Sequence, residues 1–173
     1  MAVSEAASPG KNESPFWRFS LRFYALPGVA PACLVLQDEA KADVNLMLYL
    51  FFLATQKRVL GRDDIASLDK TVSIWREEVI RPLRALRRRL KSGISGVDGK
   101  TSEAFRDKLK GLELEAERIT HDTLSREAPP LSFRADAASP QDAARASLDA
   151  YGKFLGHLPG EPVKALLGAF AKL

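Results

Sequence analysis

The chain has 173 residues, with 46% apolar, 28% charged and 8% aromatic side chains, a composition that excludes a disordered chain and suits one domain with a sizeable core. Cys33 is the single cysteine, which excludes an intrachain disulfide and a cysteine-based zinc site and fits a reducing, cytoplasmic compartment. Lys plus Arg total 26 against 22 Asp plus Glu, a net +4, but the excess is local: Arg76 to Lys91 carries seven basic and two acidic residues, leaving the rest of the chain at −1.

Residues 1–13 are small and polar and read as a disordered N-terminal tail, without the cationic start and apolar run of a secretory signal. Residues 14–173 read as a single all-helical domain. Ser14-Pro15 is an N-cap followed by Pro at the first helical position. The helix it opens carries Phe16, Trp17, Phe19, Leu21, Phe23 and Tyr24, with Arg18 and Arg22 on its wet side, and stops before Pro27-Gly28. A second helix is expected over about 29–39.

Asp43 is placed to cap a third helix, expected over about 43–58 and ended by Gly61. From Val44 to Ala54 this helix is apolar at every position except Asn45. A helix without a wet face must be enclosed by other elements, and this one is too short to span a membrane, which needs about 20 apolar residues. It is expected at the centre of the fold: an all-α, compact bundle of six or seven helices around a buried central helix.

Beyond a short helix or lead-in at Arg62–Leu68, a long helix is expected over about 71–91. Val72, Val79, Leu83, Leu86 and Leu90 would form its apolar stripe at alternating four- and three-residue steps, interrupted by Arg76, with a kink or joint at Pro82. The glycine-rich loop 92–99 follows. A helix over about 102–125 is expected to bury Phe105, Leu109, Leu112, Ala116 and Ile119. Irregular chain at 129–138 leads to Ser139-Pro140, a second cap-and-proline start for a helix to about Leu155. Pro159-Gly160 breaks it before a last short helix.

The blocks Phe16-Trp-Arg-Phe-Ser20, Pro27-Gly-Val-Ala30, Cys33-Leu-Val-Leu-Gln-Asp38 and Asp43-Val-Asn45 resemble an uncharacterised bacterial family, a domain of unknown function. The resemblance is specific over about residues 16–54 and thins to a helical pattern through residue 91. It implies a small, bacterial, all-helical protein and carries no catalytic residues. In that family the position of Lys41 is often glycine; if that glycine is left-handed, a lysine there carries a cost of about 1–2 kcal/mol.

Two groups of residues are candidates for binding. Arg81, Arg84, Arg88 and Lys91 fall on one side of a helix, broadened by Arg87 and Arg89. Six cations in eleven residues repel one another and call for partners. Those partners are either an acidic protein, RNA or anionic lipid docking on the face or internal acidic neighbours such as Glu113, Glu115 and Glu117, and both readings stand. RNA or a ribosome is a weaker expectation, since no aromatic platform is interleaved with the arginines. The second group is Gln37, Asp38, Asp43 and Asn45, four polar groups at the mouth of the most apolar helix. They suit a small-molecule pocket or, more simply, helix capping.

Glu113, Glu117 and His121 share one helical face by their four-residue spacing, but the Glu-x-x-His pattern of paired di-metal helices is absent, so a solvated face is expected there. His157 reads as a helix-end residue and Cys33 as a packed thiol. No metal, cofactor or membrane span is expected, and no nucleophile or phosphate-loop motif is present. The leading expectation is a protein-interaction or adaptor module docking through its basic helix face. The alternative is a small-molecule-binding protein or enzyme using the pocket at residues 37–45.

Overall fold

A computed structural model describes residues 14–127, 134–135 and 137–173. The tail expected over residues 1–13, and most of the irregular stretch at 129–138, lie outside the described residues. Helix α1 (Pro15–Tyr24) starts at Ser14, whose Oγ accepts from the Trp17 amide at 3.1 Å. Helix α2 (Val29–Ala40) ends at Lys41, which adopts the left-handed region at φ 57° and closes the cap by donating its N–H to the Leu36 carbonyl.

Helix α3 (Val44–Ala54) is the centre of the fold, with every residue buried except the half-buried Phe52. It touches α1, α2 and two later helices, α6 (Gly99–Glu127) and α7 (Pro140–Leu155). Aromatic packing joins it to its neighbours: Phe16 meets Tyr49 edge-on at 4.9 Å, and Phe51 lies 4.7 Å from Phe23 and 5.1 Å from Phe170. Phe170 ends α8 (Gly160–Phe170), which packs on α2 and α7. Burying each of these large side chains contributes about 1.5–3 kcal/mol. The central helix is shorter than expected: it stops at Ala54, and Lys57 turns left-handed at φ 59°. Arg58–Val59 then pairs antiparallel with Arg134–Ala135.

The glycine expected to end α3, Gly61, instead precedes α4 (Arg62–Trp75). Helix α4 runs into α5 (Arg81–Leu90) through a π-helical turn, Arg76–Ile80, so the described residues form seven continuous helical rods. The joint expected at Pro82 takes this form. Pro82 has no N–H and its ring crowds the carbonyl four residues back, and the wider turn just before it carries an i→i−5 bond from the Arg81 amide to the Arg76 carbonyl.

That turn inserts one extra residue into the helical phase. Val72 and Arg76 still face inward, and beyond the turn the buried Ile80 and the half-buried Arg84 and Arg87 join Val79 and Leu83, which are half-buried, and Leu90, which is buried as expected. Ile80 is buried, while Leu86, expected in the core, is exposed. A matching correction applies to α6. Leu109 and Ala116 are buried as expected, but Phe105, Leu112 and Ile119 are 52%, 52% and 43% exposed. The buried face of α6 is instead the one carrying Glu113, Glu117 and His121. Among the described residues no single helix is long and apolar enough to cross a membrane; α1 and α2 pass together but bend by 98° at their junction.

Candidate functional site

The site is a chain of polar groups laid between α2, the start of α3, the α4–α5 rod and α6. Asp43 is its first node. Its Oδ1 accepts from the Asn45 and Leu46 amides at 2.8 and 3.2 Å, an N-cap for α3. Its Oδ2 takes Arg76 Nη1 at 2.8 Å, and its own N–H donates to Tyr151 Oη at 2.7 Å. Arg76 also reaches Asp69 at 2.7 Å. Burial pulls the Arg76 guanidinium toward neutrality, but Asp69 and Asp43 more than offset it and hold it charged. The arginine that breaks the apolar stripe of the sequence is therefore the counter-charge of the central helix cap.

Arg84 is the second node. Its Nε donates to Glu113 Oε1 and its Nη2 to Glu117 Oε1, both at 2.8 Å, while Nη1 donates to Gln37 Oε1. Arg87 Nε adds a second donor to Glu113 at 2.5 Å. Both glutamates are 1% exposed, so the solvated face expected for them is overturned: they lie inside because two arginines, turned inward by the π turn, supply their hydrogen bonds. Burial raises the Glu113 carboxyl, but Arg87 and Arg84 together outweigh it and hold it below the usual carboxylate range. Glu117 goes the other way. Burial pushes it up, Glu113 and Asp43 add to the shift, and Arg84 opposes it without cancelling it.

His121 is the third node. It is fully buried, stacked on Phe16 at 4.1 Å and edge-on to Trp17 at 5.0 Å. Its Nε2 lies 3.0 Å from Asn45 Oδ1, which can only accept, so Nε2 carries the proton and Nδ1 is the bare nitrogen. Burial drives its pKa down to about 3. The ring is thus a neutral packing element that satisfies the Asn45 side chain of α3.

The two groups of residues singled out in the sequence meet here. Gln37, Asp43 and Asn45 line a cavity of about 30 Å³ together with Arg76, Arg81 and Arg84. A water needs about 10–15 Å³ measured this way, whereas organic ligands occupy pockets of about 300–1,000 Å³, so the cavity is the size of solvent or a small ion. Asp38 stands apart at the surface, 3.5 Å from Arg88, both more than half exposed. Arg81 pairs with Glu77 along its own helix at 2.7 Å. Arg89 and Lys91 are exposed.

Among the described residues no three His, Cys, Asp or Glu side chains come together as a metal-binding group. Cys33 is buried and its thiol is pushed up to about 12, which suits packing rather than nucleophilic chemistry. His157 is exposed beyond the Gly156 cap of α7.

The profile of a family described as a protein of unknown function (DUF2390) matches residues 15–124. The chain belongs to the DUF2390 family. No curated protein and no solved structure matches the chain. The DUF2390 match runs from the first residue of α1 to the last turns of α6, so it contains Asp43, Arg76, Arg84, Glu113, Glu117 and His121. Tyr151 on α7 lies beyond it. Sequence reasoning did not find Asp69 or Tyr151 as partners of the Asp43 node. The usable signal was Arg76, a cation set in an apolar stripe.

Proposed function

We propose that this DUF2390 chain is an intracellular protein-interaction or adaptor module that docks an acidic partner along the outer edge of α5. The observation that carries this reading is the way α5 divides its cations. Arg84 and Arg87 are taken up by Glu113 and Glu117 and lock the helix to α6, while Arg81, Arg88, Arg89 and Lys91 stay at the surface on that fixed scaffold. The Arg88–Asp38 contact, long and more than half exposed on both sides, is worth little and exchanges readily for a partner's carboxylate. A rigid row of cations raises association rates with an acidic surface and makes binding salt-dependent.

The test is affinity capture with quantitative mass spectrometry, comparing wild type with Arg88→Gln, Arg89→Gln and Lys91→Gln combined. The variant should fold normally and lose partners that wild type retains at low salt. Retention of every partner counts against the docking edge, and loss of partners on nuclease treatment favours RNA instead. The water-sized cavity at Gln37, Asp43 and Asn45 supports the small-molecule reading less well, because it has no room for an organic substrate.

A further inference from the structure

The outer side of α6 carries a feature that the α5 docking edge does not use. Phe105, Leu112 and Ile119 recur every seven residues and are 52%, 52% and 43% exposed. Seven-residue spacing keeps side chains in a nearly straight row, here about 21 Å long over fourteen residues. Single exposed apolar residues are ordinary, but a row of three large ones at a regular interval on one helix is a seam.

Gly111 lies beside Leu112 at an exposed position in the middle of this 29-residue helix. A glycine there costs the helix about 1 kcal/mol relative to alanine. Nothing inside the chain calls for it, since an added Cβ would meet no other group within 4 Å. Lys108 and Glu115 are also exposed, each three residues beyond a seam residue, so they flank Leu112 on the same side of the seam, one toward each end.

We propose that α6 is a self-association surface, pairing antiparallel with α6 of a second copy about a two-fold axis at Leu112. In that register Leu112 meets Leu112, Phe105 of each protomer meets Ile119 of the other, and Lys108 comes level with Glu115 across the interface. Gly111, turned about 100° from Leu112 around the helix, leaves the flank of the seam open. The charges suit this orientation: Lys108 and Glu115 lie on the same flank of the seam, and antiparallel pairing brings that flank of each helix against its counterpart, opposing unlike charges twice by symmetry. This inference stands independently of the α5 edge, because it uses neither its cations nor an acidic partner.

Analytical ultracentrifugation of the full chain at micromolar concentrations tests it. Wild type should sediment as a concentration-dependent dimer. Leu112→Glu should sediment as a monomer, with far-UV circular dichroism unchanged and a thermal midpoint that matches wild type diluted to the monomer, because the position is exposed. Lys108→Glu should weaken the dimer about tenfold or more, and adding Glu115→Lys should restore it by swapping the pair. A wild type that stays monomeric overturns the proposal, as does a dimer indifferent to Leu112→Glu. Failure of the double swap to restore binding overturns the antiparallel register.

Discussion

Arg84 and Glu113, 29 residues apart, meet at 2.8 Å beneath the surface because the π turn before α5 brings Arg84 inward beside the half-buried Leu83. The pair belongs to a set of four, with Arg87 and Glu117, that replaces an apolar interface between α5 and α6. Such a set is an inefficient source of stability compared with apolar packing, but removing one member leaves the others stranded in a dry environment.

Arg84→Met should therefore cost about 3–5 kcal/mol in urea unfolding, because it removes the guanidinium shared by Glu113, Glu117 and Gln37. Arg88→Gln, at the exposed end of the same row, should stay within about 0.5 kcal/mol of wild type. Combining Arg84→Met with Glu117→Gln should recover at least about 1 kcal/mol, the coupling expected for residues in one network. Equal effects of Arg84 and Arg88 substitution would contradict the division of α5 into an anchored and an exposed side.

The central helix should be the segment least tolerant of polarity. Leu50 is 1% exposed, and Leu50→Asp buries a carboxylate with no partner, at a cost of several kcal/mol against a total stability of about 5–15 kcal/mol. Soluble folded protein should be lost on expression. An unchanged thermal midpoint would show that α3 is not the organising element.

His121 should make the protein acid-sensitive. The native ring titrates at about 3 and the unfolded one at about 6.5. The unfolded state therefore takes up a proton that the native state refuses. Stability is fully present above about pH 6.5 and is lost toward pH 3, at up to about 1.4 kcal/mol per unit. Glu117, raised by burial, has the opposite sign: its native form protonates first, so stability rises as the pH falls from its native pKa to that of the unfolded chain. His121→Gln keeps an N–H for Asn45 and removes the imidazole titration. The difference between the two stability-against-pH curves isolates the histidine, and parallel curves between pH 4 and 6.5 would refute its role.

Lys41 holds φ 57° with no glycine's freedom to do so. A left-handed non-glycine residue costs about 1–2 kcal/mol, and glycine gives back about 0.4–1 kcal/mol through the unfolded chain. Lys41→Gly should thus stabilise the protein by about 0.5–1 kcal/mol and raise the thermal midpoint by about 2–3 °C in calorimetry. A fall in the midpoint would mean that the hydrogen bond from Lys41 Nζ to the Asp38 carbonyl outweighs the backbone term.

The sequence alone determined whatever depends on neighbours along the chain. Ser14-Pro15, Asp43 and Ser139-Pro140 start helices because a side-chain oxygen reaches an amide two or three residues on, a contact within one turn. The burial of α3 was equally legible, since a helix apolar all round has no solvent-compatible orientation. The facing of α5 and α6 was decided only by the tertiary structure. The wider π turn brings Arg84 and Arg87 onto the α6-facing side beside Leu83, and nothing in the apolar pattern marks that turn. Helix α6 then had two faces it could bury, one with Phe105, Leu112 and Ile119 and one with Glu113, Glu117 and His121. The second went inside because Arg84, Arg87 and Asn45 arrive from other elements to satisfy it, and that supply of partners across 26 to 76 residues of chain is invisible to any local rule.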